Sequence, residues 1–251
     1  MPLRYITSVQ HPFVKHLVKL RENRSYRYDK KSVLIEGITL VTELRGTKRF
    51  KLIAARDEML IPLGVEAEEV LIVNEGVMQK ISGVRTPEGI IAEMEIPQSA
   101  SLVGKRRIIA FDELNDPGNV GTLLRSALAL GWDGAFFLDD CCDPFNDKAM
   151  RSARGATFRL PIAWGSWNEL DQLINANELT PFVADLMGCE LSEAPRTENI
   201  LLVLGNEARG ASEKTKQRCQ PLTIKMIGDM ESLNVGVAGS IMMYALGKHG
   251  K

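Results

Sequence analysis

Five consecutive apolar residues, Ile200 to Leu204, run directly into Gly205. A strand with water on one face alternates apolar and polar side chains, whereas a strand apolar at every position is covered on both faces. A parallel sheet between two layers of helices meets that condition, and its strands must be joined by helical crossovers. The C-terminal half of the chain carries that alternation. Strands are expected at 108–112, 135–138, 182–185, 200–204 and 222–226, with helices near 120–130, 147–153, 166–176, 211–219 and 232–246.

A smaller alternation precedes it. PFVKHLVKL, 12–20, sets Phe13, Leu17 and Leu20 at helical spacing with lysines on another face. VLIEG (33–37), KLIAA (51–55), VLIVN (70–74) and GIIAEMEI (89–96) read as strands, and a helix after the first of them runs through Leu44 to stop near Gly46. The expected organisation is an α/β domain over 1–96, a polar, small-residue linker over 97–106, and a parallel-sheet domain over 107–251. With 45% apolar and 25% charged residues the chain has the composition of a globular protein. No apolar run approaches the roughly 18 residues of a membrane span, and Met1 to Gln10 lacks a signal-peptide pattern. A cytoplasmic location is expected. Cys141, Cys142, Cys189 and Cys219 fit no zinc or C-x-x-C spacing and read as free thiols. No metal site is expected.

The formal net charge of −1 conceals an uneven distribution. Residues 1–31 hold eight basic side chains, Lys15, Arg24 and Arg27 among them, against Glu22 and Asp29. From residue 101 onward 16 basic residues face 19 acidic ones. A basic arm on a near-neutral body fits a polyanionic partner, because phosphate contacts dominate nucleic-acid affinity. A solvated helix face accounts for it equally well.

Three segments of the C-terminal half carry candidate chemistry. In DPGNVGTLLRSALALG (116–131), Pro117, Gly118 and Gly121 make a sharp turn into a helix, Asn119 is a suitable N-cap, and Arg125 follows within two turns. A plain βα turn with a solvated arginine would look the same, and the glycine spacing of a dinucleotide-binding loop is absent. In LLVLGNEARGAS (201–212), Asn206 and Glu207 sit at the carboxyl end of a strand, where ligands of open α/β sheets bind, and Gly205 would let a ligand approach the backbone. A loop whose Glu207 caps the next helix is the alternative. In IKMIGDMESLNVGVAGSIMMYAL (224–246), Ser232 and Asn234 precede a helix made slim by Gly236, Ala238, Gly239 and Ser240, which also serves close packing.

Taken together and in this order, NVGTLLRSALALG, LGNEARGAS, and IKM followed by SLNVGVA resemble the three signature motifs of the SpoU/TrmH family of RNA ribose 2′-O-methyltransferases. ITSVQHPFVKHLVKLRENRSYR, LIEGITLVTEL, ISGVRTPEGIIA and KAMRSARGATFRLPI extend the resemblance over nearly the whole chain. Departures are Ala208 in place of a usual glycine, Gly236 in place of serine or alanine, and Arg154 in place of a smaller or apolar residue.

The resemblance implies a trefoil-knotted C-terminal domain behind a small ribosomal-protein-like RNA-binding domain. It implies S-adenosylmethionine as cofactor, held around Ala184, Leu204, Gly205, Asn206, Ile224, Met226, Ser232 and Leu233. Ile224, Met226 and Leu233 are suitable walls for a flat adenine. Arg125 would be the general base or a phosphate clamp, with Asn119, Glu207, Ser232 and Asn234 ordering the ribose and the loops. RNA contacts are expected from Lys15, Arg24 and Arg27, and from Arg151 and Arg154 across a homodimer joined through the helix at 232–246. Large-subunit ribosomal RNA is the favoured substrate and tRNA the alternative. A silent RNA-binding protein of the same fold and a dinucleotide-dependent oxidoreductase are the rival functions.

Overall fold

The computed structural model describes residues 3–46 and 49–247. The chain divides into two compact units, one running to Pro97 with Phe145–Asp147 added, the other comprising Gln98–Pro144 and the chain from Lys148 onward.

The N-terminal unit contains β1 (Leu3–Ile6), α1 (Pro12–Glu22), α2 (Arg24–Lys30), β2 (Ser32–Glu36), α3 (Ile38–Leu44), β3 (Phe50–Ala55), β4 (Ala67–Val73), α4 (Glu75–Ser82) and β5 (Ile90–Glu95). Its five strands form one mixed sheet in the order β1-β4-β3-β5-β2. β5 runs antiparallel to both β2 and β3, while β4 pairs in parallel with β1 and β3. Val14, Leu17 and Leu20 of α1 join Val77, Met78 and Ile81 of α4 in the core on one side of this sheet.

The C-terminal unit contains β6 (Arg107–Phe111), α5 (Pro117–Ala129), β7 (Gly134–Phe137), α6 (Asp147–Ala153), α7 (Ala156–Arg159), β8 (Ile162–Trp164), α8 (Trp167–Asn177), β9 (Thr180–Glu190), β10 (Ile200–Leu204), α9 (Glu213–Arg218), β11 (Gln220–Thr223) and α10 (Val235–Gly247). Six strands pair in parallel throughout, in the order β11-β9-β10-β6-β7-β8. The continuously apolar β10 lies inside this sheet and serves both faces. Ile200, Leu202 and Leu204 pack toward α5 and α10, while Leu201 and Val203 pack with Leu170 and Leu173 of α8. Each such fully buried side chain stabilises the unit by roughly 1.5–3 kcal/mol relative to exposure.

Two details of α5 and α10 set the geometry of the site. A Cβ at Gly121 would lie 2.2 Å from the Ala149 carbonyl oxygen and 2.9 Å from the Ala153 nitrogen, so α5 and α6 approach backbone to backbone there. Ser240 Oγ donates to Ser126 Oγ at 2.8 Å, tying α10 to α5.

Candidate functional site

β9, β10 and β11 all point their carboxyl ends toward one cavity of about 460 Å3 in the C-terminal unit. That is where ligands bind in parallel α/β sheets, and the volume suits a small molecule. Ala184, Gly205, Asn206, Glu207, Ile224, Met226, Ser232 and Leu233 all line it. Ile224, Met226, Leu233 and Met242 give it apolar walls, and Asp185, Asn206 and Ser232 add polar groups at its edge. Leu204 does not line the cavity; its side chain is fully buried in the core of the sheet.

The turn after β10 is built by its own residues. Asn206 and Gly210 exchange backbone hydrogen bonds of 2.9 Å in both directions. Asn206 Oδ1 accepts from the amides of Ala208 at 3.0 Å and Arg209 at 3.1 Å, and its Nδ2 donates to the Glu113 carbonyl at 3.0 Å. Arg209 forms an ion pair with Glu113. A Cβ at Gly205 would sit 2.6 Å from the backbone of Gly210 and Ala211. The glycine is therefore required by the chain folding back on itself, a reason different from the ligand approach expected from sequence. Below the turn, the buried Asp112 carboxylate accepts from the Ser212 amide at 3.0 Å and from the Thr215 hydroxyl, anchoring the far side of the loop to the end of β6.

Glu207 does not cap α9, whose N-cap is Ser212. Its carboxylate instead reaches the start of α5. Oε1 accepts from the Asp116 amide at 2.8 Å and from Asn119 Nδ2 at 3.2 Å, and Oε2 accepts from the Asn115 amide at 3.3 Å. Burial pushes this carboxyl up, but the donors from Asp116, Asn119 and Asn115 outweigh it and hold it below the ordinary glutamate value.

The N-cap expected at Asn119 belongs to Asp116, whose Oδ1 accepts from the Asn119 amide at 2.9 Å, with Pro117 at the first helical position. Asp-Pro is a readable helix start, and it leaves the Asn119 side chain for Glu207. Lys148 Nζ bonds Asp116 Oδ2 at 2.8 Å, and this bond, followed by that from the Asn119 amide, lowers the Asp116 carboxyl. Asn234 caps α10, accepting from the amides of Gly236 at 2.9 Å and Val237 at 3.3 Å. Arg125 lies on the exposed face of α5, outside the cavity lining, and makes no ion pair among the described residues.

Other expected contact residues separate by exposure. Lys15, Arg24, Arg151 and Arg154 are exposed. Arg27 is 2% exposed and donates to the carbonyls of Leu20 and Arg21 at 2.8 Å, closing the C-terminal end of α1. The surface RNA contact expected of Arg27 is corrected on that ground, because its guanidinium serves the fold. Arg154 takes a left-handed conformation with φ 49°, directly before Gly155 at φ 84°. Asp185 and Met187 also line the cavity, because β9 continues to Glu190, past a register shift in its pairing with β11 between Pro221 and Leu222. No hydropathy pattern marks that bulge.

A model of the SpoU rRNA Methylase family matches residues 106–244. A model of the MRM3-like substrate binding domain matches residues 11–92. The chain is 31% identical over 248 residues to the Bacillus subtilis 23S rRNA (guanosine(2553)-2'-O)-methyltransferase RlmP, covering 97% of this chain and 99% of that one. It is 30% identical to the Streptomyces viridochromogenes 23S rRNA (uridine(2479)-2'-O)-methyltransferase over 80% of this chain and 69% of that protein. Among solved structures, the AdoMet-bound rRNA methyltransferase from Sinorhizobium meliloti shares the fold with a TM-score of 0.87 at 24% identity, over 99% of each chain. A putative RNA methyltransferase of the TrmH family from Porphyromonas gingivalis gives 0.80 at 28% identity, over 93% of this chain and 96% of that one.

Proposed function

The chain belongs to the SpoU rRNA methylase family and is an RNA 2′-O-ribose methyltransferase, and from that premise we propose that its substrate is large-subunit ribosomal RNA and that its methyl donor occupies the cavity beyond β9, β10 and β11. The observation that carries the reading is the convergence of Ala184, Gly205, Ile224, Met226 and Leu233, which are separate in sequence, on one cavity braced by Glu207 against α5. The walls fit the group: Ile224, Met226 and Leu233 offer apolar faces to an adenine, and Asn206 and Ser232 offer polar groups at the rim. S-adenosylmethionine bound there supplies an electrophilic methyl on a sulfonium centre.

Glu207 and Asn119 order the cavity rim, because the carboxylate holds the Asn115 and Asp116 amides and the Asn119 side chain together. Asn234 fixes the start of α10, and Ser232 offers its hydroxyl to the ribose. A guanidinium keeps its proton near neutral pH. Arg125, exposed and without an ion pair among the described residues, then clamps the phosphate beside the target ribose and stabilises the oxyanion forming at its 2′-oxygen. The polypeptide follows the knotted path of its family around these loops, residues 1–96 bind the substrate RNA, 97–106 link, and 107–251 catalyse.

A homodimer through α10 belongs to the same proposal. Val237, Ile241 and Tyr244 are 48%, 40% and 53% exposed and follow one another at helical spacing along α10, while Met242, Met243 and Leu246 are buried in the parent unit. A two-fold partner covers such a stripe with the same surface on both chains, and it brings Arg151 and Arg154 of a second copy toward RNA. Among the described residues no helix is long and apolar enough to cross a membrane; the proposed location is the cytoplasm.

The test is labelled S-adenosylmethionine offered with purified large-subunit rRNA and, separately, with tRNA. Label in the rRNA supports the substrate. Label confined to tRNA replaces it.

A further inference from the structure

The basic residues of the first 31 positions do not act as one surface. Arg21 donates to the carbonyls of Lys80 at 3.0 Å and Ile81 at 2.7 Å, closing the C-terminal end of α4. Arg27 is buried on α1 carbonyls. Arg4 pairs with Glu69 at 3.3 Å and Lys30 with Asp29 at 3.1 Å. What remains exposed on α1 is Lys15 and Lys19, four residues apart and so on one face of the helix. Lys80, from the last turn of α4, stands beside them across the packed α1 and α4 helices. These three lysines line one groove of about 390 Å3, together with Val9 and Val18.

The only acid in the lining is Glu22, and Arg21 pairs with it. Lys15 and Lys80 make no ion pair among the described residues, and Lys19 Nζ rests 4.4 Å from the Tyr26 ring centroid, also without an acid partner. A concave surface therefore gathers three ammonium groups, two of them from one helix and one from a segment about 60 residues further on, with Val9, Val18, Gln10 and Asn23 between them. Ammonium groups are compact point charges without the planar fork that reads a base or a carboxylate. They suit a backbone that repeats its negative charges, with sugar faces between them.

We propose that this groove is a second RNA-contact surface, holding the sugar–phosphate backbone of a strand away from the nucleotide that is methylated. It rests on the reading of the chain as an RNA methyltransferase and adds where the substrate-binding unit grips. The contact is to phosphate and is therefore indifferent to sequence.

The test uses the full-length chain with Lys15→Gln, Lys19→Gln and Lys80→Gln combined. Affinity for large-subunit rRNA is measured by filter binding between about 50 and 200 mM salt. Each phosphate contact contributes about 0.7–0.9 to the slope of log affinity against log salt, so the slope should become shallower by about 2–3. S-adenosylmethionine affinity and thermal unfolding should stay at wild-type values. If the triple variant unfolds earlier, the Lys15→Gln/Lys80→Gln double variant, at two exposed positions without acid partners among the described residues, should still lose about 1.4–1.8 of slope. An unchanged slope in folded variants overturns the groove while leaving the methyltransferase reading intact. Unchanged RNA binding with lost polyglutamate binding reassigns it to an acidic protein segment and also overturns the proposal. A wild-type chain that neither binds nor methylates RNA defeats the functional reading itself.

Discussion

Replacing Glu207 by glutamine changes one atom and one charge at the point where the turn after β10 meets the start of α5. The carboxylate accepts three hydrogen bonds, at 2.8, 3.2 and 3.3 Å. Glutamine keeps one carbonyl oxygen for the Asp116 amide and the Asn119 side chain, but its NH2 then faces the Asn115 amide, donor against donor. Bonds to a charged acceptor contribute about 1.5–3 kcal/mol and neutral ones about 0.5–1.5, so two weakened bonds and one lost bond amount to at most roughly 3.5–6 kcal/mol before screening. The residue is exposed, and solvent screening cuts that to about 1 kcal/mol, or roughly 2–4 °C in Tm for a chain of this size. The sign in pH follows from the lowered carboxyl. Its stabilisation is complete above the unfolded glutamate value near 4.3 and fades as pH falls through the lower folded value. Glu207→Gln should therefore narrow its deficit toward wild type in acid. Turnover should fall by about 10-fold or more, as misplacement of a positioned group does, with S-adenosylmethionine affinity within a few fold. Differential scanning fluorimetry across pH and single-turnover methyl transfer read both effects. Wild-type Tm and turnover at neutral pH would refute the role given to this bridge.

Gly121→Ala should destabilise by about 1–3 kcal/mol, because its Cβ would fall 2.2 Å from the Ala149 carbonyl oxygen and backbone must move; chemical denaturation of the purified variant measures it. Arg125→Ala should leave S-adenosylmethionine affinity within a few fold and cut turnover by about 10²-fold or more, with Arg125→Lys failing too for want of the planar fork; near-normal turnover removes Arg125 from the chemistry. If α10 joins two copies as proposed, Val237→Glu with Ile241→Glu should give a monomer in sedimentation equilibrium, since both side chains lie on the exposed stripe of α10; a wild-type chain sedimenting at 27.8 kDa with full activity contradicts the proposed dimer outright.

Where the fold was legible in the sequence, the signal was apolar periodicity. β10 and α6 fall at Ile200–Leu204 and Asp147–Ala153, the residues that pattern assigns. β8 escaped because Ile162–Trp164 is three residues long and follows Pro161. α2, Arg24–Lys30, escaped because its one buried residue is Arg27, so no apolar stripe announces it. α4 carries legible signals of a helix, with Asn74 as N-cap, Gly83 in the left-handed conformation, and Val77, Met78 and Ile81 at helical spacing. At the site, the sequence placed Asn206, Ile224, Met226 and Leu233 on the cavity through motif resemblance. It could not place the Glu207 to Asn119 bond, which joins residues 88 apart, nor separate the structural Arg21 and Arg27 from the exposed Lys15 and Lys19. Charge along a chain does not reveal which guanidinium a helix end will claim.

The central claim is methyl transfer to a ribose oxygen, and the nature of the bond formed tests it most directly. The full-length chain would be incubated with labelled S-adenosylmethionine and large-subunit rRNA, and the product hydrolysed in alkali. A 2′-O-methyl group removes the hydroxyl that attacks the adjacent phosphodiester, so the label should emerge in an alkali-resistant dinucleotide. Label released instead in an ordinary mononucleotide, as a base-methylated residue, would contradict the account.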